Sequence, residues 1–142
     1  MDKIKTTGDL ERDLKGHIDL SQFLKENKDS FLRETIGEIL QGVIAEKKLN
    51  KSAVARDAQM SEIYFFQILS GRRTPSRDRL LCLCFAMKCT FNETQEILKH
   101  GRYSLLYVKN RRDAIITFGL KKGWSLVRIN EELFFNQEQL LC

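Results

Sequence analysis

The chain has 142 residues, enough for one domain with a real core and an appendage. Hydrophobic content of 42% and charged content of 30% fit a globular protein, and no apolar run reaches the roughly 18–20 residues that cross a bilayer, so a membrane partner is not expected. A net charge of +5 permits a polyanionic partner without demanding one, since it also serves solubility.

A single proline, 9% aromatics and the lack of alternating Val/Thr-rich runs predict an all-α fold. Cys82, Cys84, Cys89 and Cys142 form no Cys-x-x-Cys pair and have no histidine cluster beside them. They read as core thiols in a reducing cytosol rather than as zinc ligands or disulfides. No signal peptide opens the chain, and a cytoplasmic location is expected.

Residues 1–29 are polar and weakly patterned. Leu10, Leu14 and Ile18, then Leu20, Phe23 and Leu24, fall at helical spacing, interrupted at Gly16. The pattern allows one or two short docking helices or a frayed arm. His17 beside Asp19 reads as a solvated side chain of that arm. From Ser30 to Lys48 an amphipathic helix is expected, with Leu32, Ile36, Ile39, Leu40, Val43 and Ile44 in one stripe. Leu49 closes its far end.

The stretch Asn50 to Pro75, NKSAVARDAQMSEIYFFQILSGRRTP, organises the rest. Asn50 or Ser52 can cap a short helix, because a short side-chain oxygen there accepts an unpaired backbone N–H. Val54, Ala55 and Ala58 share one face of that helix. Ala58-Gln59-Met60 is the connection, and Ser61 caps a second helix on which Phe65, Ile68 and Leu69 follow the i, i+3, i+4 rule. Gly71 supplies a left-handed stop, and Pro75 bars continuation.

These residues resemble the helix-turn-helix of lambda-repressor-like (Cro/cI, XRE-type) DNA-binding domains, over about residues 32 to 100. The Gly-Arg-Arg-x-Pro ending is the most specific part of the match. Gln59 stands where the family prefers glycine, a strained choice if that residue takes a positive φ. The resemblance implies a second helix laid in the major groove of double-stranded DNA.

Ser76 caps a helix from Arg77 to about Lys88 that is apolar almost all round. Thr90-Phe91-Asn92-Glu93 is a capping box opening a helix that ends near Gly101. The run Arg77 to Leu98 then aligns with Arg112 to Leu133 at a constant shift of 35 residues, pairing Arg77-Asp78 with Arg112-Asp113, Glu96 with Glu131 and Thr90 with Ser125. A duplicated helical hairpin is expected, since such a unit cannot bury its apolar face alone. The alternative is that any two capped amphipathic hairpins align so. The linker 103–108 is too apolar for a free tether and is expected against the core. In layout the chain also resembles bacterial repressor-like proteins with a Pro-Ser-Arg-Asp run and a later Arg-Arg-Asp-Ala-Ile-Ile run. The expected organisation is an arm over 1–29, a helix-turn-helix core over 30–101 and a C-terminal hairpin over 102–142 packed on that core.

Two separated histidines, no phosphate-cradling glycine loop and no nucleophile with a base predict no enzyme, and no cofactor or metal site is expected. Carrying the family pattern over, Glu62, Ile63, Tyr64, Phe66 and Gln67 face the groove. Lys47, Lys48, Lys51, Ser52, Arg72, Arg73, Arg77 and Arg79 are the phosphate-contact candidates. Only Gln67 is of the residue types that read base edges best. From Ile63 to Leu69 every other residue is apolar, so the Ile63/Phe66 face calls for a cover: the arm, the C-terminal hairpin, a second copy or another protein.

Two functions follow. One is a sequence-specific transcriptional regulator, for which a homodimer on two half-sites would multiply affinity. The other is a repressor-fold adaptor that presents the aromatic helix to a protein partner. Arg77 and Asp78 are alternatively a structural bracket, because Arg112-Asp113 recurs where no such helix precedes it.

Overall fold

The computed structural model describes Gly8, residues 19–26 without the side chains of Leu24 and Glu26, and residues 35–142. Leu10, Leu14, Gly16, His17, Ile18 and residues 30–34 lie outside the described residues, and the amphipathic helix expected from Ser30 starts at Ile36 instead, because Thr35 is extended and its hydroxyl caps the helix by accepting the Glu38 N–H at 3.2 Å. The chain divides into two compact units, Met1–Arg33 and Glu34–Cys142. In the first, α1 (Leu20–Glu26) begins where Asp19 Oδ1 accepts the Ser21 N–H at 3.0 Å, and Phe23 is buried.

The second unit contains α2 (Ile36–Lys47), α3 (Lys51–Asp57), α4 (Glu62–Leu69), α5 (Arg77–Ala86), α6 (Phe91–His100), α7 (Arg111–Lys122) and α8 (Leu126–Phe135). The chain is all-α, with no strand among the described residues. Segments 30–101 and 102–142 are therefore not separate bodies; from Glu34 on they belong to one unit.

Four of the connections are one device used repeatedly. Each has a residue at positive φ, then an apolar residue, then an N-cap: Lys48-Leu49-Asn50, Gln59-Met60-Ser61, Lys88-Cys89-Thr90 and Gly123-Trp124-Ser125. In each, the apolar residue's N–H donates to the carbonyl five positions back, at 2.9–3.0 Å. The left-handed residue satisfies the orphan carbonyls of the ending helix, and the cap satisfies the orphan N–H groups of the next. Asn50, rather than Ser52, is the cap of α3. Lysine and glutamine tolerate the left-handed region less well than glycine does, so three of these turns carry backbone strain and only Gly123 is free of it.

The 35-residue repeat is physical. The positive-φ residues Lys88 and Gly123 match at that shift, as do Arg102 and Gln137. Helix α6 maps onto α8 end to end. Gln95 Oε1 accepts the Leu106 N–H at 2.8 Å, and its counterpart Asn130 Oδ1 accepts the Leu141 N–H at 2.9 Å. The packing closes under exchange of the two hairpins: α5 lies against α8, and α6 lies against α7. This is the pattern of a pseudo-two-fold pair, each hairpin covering the other's apolar face.

The core runs through both hairpins into α2–α4. Leu40, Phe65, Ile68, Leu80, Leu81, Leu83, Met87, Leu98, Ile116, Ile129 and Leu133 are fully buried, each burial stabilising by roughly 1.5–3 kcal/mol before entropy is counted. Val54, Ala55, Phe85 and Ile97 are buried with them. Ile115, beside fully buried Ile116, is only half-buried, because it lines a shallow hollow with Ala114, Phe118 and Trp124. Gly37 lets α2 touch the end of α4: a Cβ there would lie 2.5 Å from the carbonyl oxygens of Ile68 and Leu69. Trp124 is half-buried over Gly119, edge-on to Phe118 at 5.3 Å and capped by the Arg128 guanidinium at 4.4 Å. At the matching positions the first hairpin has Cys84 and Cys89, so one small–large pair replaces two mid-sized side chains.

Candidate nucleic-acid interface

Helix α4 is short and firmly held. Ser61 Oγ accepts the Tyr64 N–H at 3.1 Å, and Gln41 Nε2 donates to the Leu69 carbonyl at 2.8 Å, so both ends are satisfied. Phe65, Ile68 and Leu69 face inward. Glu62, Ile63 and Phe66 face solvent, Ile63 at 74% and Phe66 at 44% exposure. Within the unit Glu34–Cys142 the C-terminal hairpin does not close over the Ile63/Phe66 face, so the cover such a face calls for is not that hairpin. The inward stripe alone is enough to anchor α4, leaving its outer apolar groups free.

Tyr64 and Gln67 are half-buried and belong to the support of α4. The Arg79 guanidinium lies 5.8 Å over the Tyr64 ring. Gln67 Oε1 accepts from Arg73 Nε at 2.8 Å, and the Gln67 carbonyl accepts the Arg73 N–H and the Ser70 hydroxyl, both at 3.1 Å. Arg73 is thus drawn beside the only amide on this face, with one guanidinium edge still exposed. Behind it, Tyr103 Oη donates to the Pro75 carbonyl at 2.6 Å, fixing the 70–76 segment that carries Arg72 and Arg73. Burial, with Tyr64 close by, pushes the Tyr103 phenol above its ordinary pKa, so it stays a donor.

The basic candidates separate into two groups. Lys48, Lys51, Ser52, Arg72 and Arg73 are exposed around α3 and the end of α4. Lys47 and Arg77 are occupied within the protein. Lys47 Nζ donates to the Lys88 carbonyl at 3.1 Å and to Glu93 at 3.0 Å. Arg77 spends four of its five N–H donors on Asp113 and on the Ser104 and Leu105 carbonyls, leaving little for a phosphate. The bracket reading of Arg77 and Asp78 is the one its geometry follows. Arg79 lies between the groups, half-buried on Tyr64.

Two residues that hold the site carried no signal of their own in the sequence: Gln41 and Tyr103. Arg-Asp recurring at 35 residues pointed to Asp113, but not to its partner in the other hairpin. The linker is also pinned differently from expectation. Leu106 is buried and Tyr103 half-buried, yet Leu105, Tyr107 and Val108 are exposed, because Arg77 and Gln95 hold the backbone and leave those side chains outward.

The thiols Cys82, Cys84 and Cys89 are buried, and Cys142 is exposed. Burial and the neighbouring Cys142 raise the Cys82 thiol, which keeps it protonated and inert. Among the described residues no group of His, Cys, Asp and Glu side chains is placed to hold a metal ion, and no helix is long and apolar enough to cross a membrane.

Comparison with family models, with curated proteins and with solved structures returns no match.

Proposed function

We propose that the chain is a non-enzymatic, sequence-specific DNA-binding regulator that lays α4 in the major groove. The observation that carries this reading is the outward face of α4, flanked by the exposed cations Lys48, Lys51, Arg72 and Arg73. Two short capped helices joined by a three-residue turn, the second supported from behind, suit a reading head. On this proposal Arg72, Arg73, Lys48 and Lys51 contact phosphates and set affinity, while Ile63 and Phe66 touch thymine methyls. Glu62 accepts from cytosine N4. The held Gln67–Arg73 pair presents an amide and a guanidinium edge together, a better reader than Gln67 alone.

A second reading has its own observation. Ile63 and Phe66 are exposed, and two large apolar groups beside one acid also suit a protein hot spot.

A fluorescence-anisotropy titration of labelled double-stranded DNA at several salt concentrations tests the proposal. Binding is expected to weaken with salt at a slope of about −0.9 per phosphate contact, and to be lost in Arg72→Glu/Arg73→Glu. No DNA binding by a folded chain, with a protein complex lost on Phe66→Ala, transfers the function to the adaptor.

A further inference from the structure

We infer that the outer face of α8 is a docking site for a basic amphipathic helix of another protein. Val127, Glu131 and Phe134 lie at i, i+4 and i+7 on that face, with Phe135 beside them. Phe134 and Phe135 are 69% and 75% exposed, with ring centroids 6.0 Å apart, and Val127 is 56% exposed. With Leu140 and Gln59 they border an open hollow of about 650 Å³.

The duplicated hairpin supplies an internal control. At the 35-residue shift, Val127, Phe134 and Phe135 replace Asn92, Lys99 and His100 of α6, all exposed and polar, while Glu131 keeps the acid of Glu96. The hairpin fold therefore does not require the apolar side chains; α6 forms the same helix without them. Two aromatics in that state leave on the order of 200–300 Å² of ring surface in water, a patch of the size that marks interaction sites.

The same exchange identifies the partner by charge. In α6, Glu96 has His100 3.3 Å away on its own helix. In α8 the equivalent of His100 is Phe135, and among the described residues Glu131 makes no ion pair. No lysine or arginine lines the hollow. A partner helix bearing leucine-like residues plus a lysine or arginine opposite Glu131 would satisfy both the ring surface and the lone carboxylate. A second copy packed symmetrically on this face would bring no such cation and would set Glu131 near its own mate.

The test uses the full chain and two labelled model peptides, one amphipathic helix of leucine and lysine and its leucine–glutamate counterpart. The net charge of +5 favours the acidic peptide, so a preference for the lysine peptide has to come from the local acid. Saturable binding of the lysine peptide is expected, weaker by roughly tenfold or more for the glutamate peptide and in Phe135→Ser. Glu131→Lys should reverse the preference. No binding, binding indifferent to peptide charge, or binding retained in Phe134→Ser/Phe135→Ser overturns the inference. Self-association in sedimentation that Phe135→Ser removes also overturns it, in favour of a second copy.

Discussion

Arg77 grips Asp113 with both terminal nitrogens, at 3.1 and 2.9 Å, and Arg112 grips Asp78 at 2.9 and 3.1 Å. Each arginine also donates to two backbone carbonyls of the segment that follows its own hairpin: Arg77 to Ser104 and Leu105, Arg112 to Gln139 and Leu140. These carbonyls match at the 35-residue shift. The two forks are therefore one contact made twice across the pseudo-two-fold pair, and they join the core to the C-terminal hairpin.

Cutting either fork should destabilise the chain unequally. Asp113 is 9% exposed and also accepts the Tyr107 N–H, whereas Asp78 is 30% exposed. Asp113→Asn is expected to cost about 3 kcal/mol by leaving a partly buried guanidinium unpaired, and Asp78→Asn on the order of 1–2 kcal/mol. Urea unfolding of the two variants checks the ranking, and equal costs would contradict it.

Two glycines of α2 should respond in opposite directions to the same change. Gly37→Ala forces α2 and α4 apart against backbone oxygens and should cost about 2–4 kcal/mol. Gly42→Ala meets nothing within 4 Å and should stabilise by about 0.5–1 kcal/mol, through helix propensity alone. Thermal melts followed by circular dichroism separate them.

Lys88 and Gly123 occupy the same left-handed turn position, at φ 55° and 72°. Lys88→Gly should relieve strain, and Gly123→Lys should introduce about 1 kcal/mol of it. Chemical denaturation of the pair is the measurement; a Gly123→Lys variant as stable as the parent would show that the turn bears no strain.

Glu93 gives a pH dependence of known sign. The Thr90 N–H first, and Lys47 after it, hold its carboxyl below its ordinary pKa. The folded state thus favours the ionised form, so this stabilisation is present above the unfolded pKa and is lost as pH falls through the folded one. Glu93→Ala should cost about 1 kcal/mol at neutral pH, as the loss of a capping box does. The gap between variant and parent should close in acid. A gap independent of pH would rule the carboxylate out as its source.

Much of the local architecture was legible because it is written within a few residues. Asn50, Ser61, Ser76, Thr90 and Ser125 cap helices by reaching three positions along the chain, and the register of the duplicated hairpin could be read from residue identity. The candidate site was less legible. Lys47, Arg77 and Arg73 look alike in the sequence, yet Lys47 is bound to Glu93, Arg77 to Asp113, and Arg73 keeps an exposed edge beside Gln67. Their partners lie 46, 36 and 6 positions away.

The sequence alone thus determined the helical segments from Asn50 onward and that one hairpin occurs twice, since these depend on backbone satisfaction and periodicity, while the long helix before them starts at Ile36 rather than Ser30. Only the tertiary structure decided which cations remain free, and that Ile63, Phe66, Phe134 and Phe135 face water rather than the core. Apolar residues are drawn inward only as far as neighbouring helices offer surface to cover them. That supply is set by the packing of the whole unit, which no local pattern records.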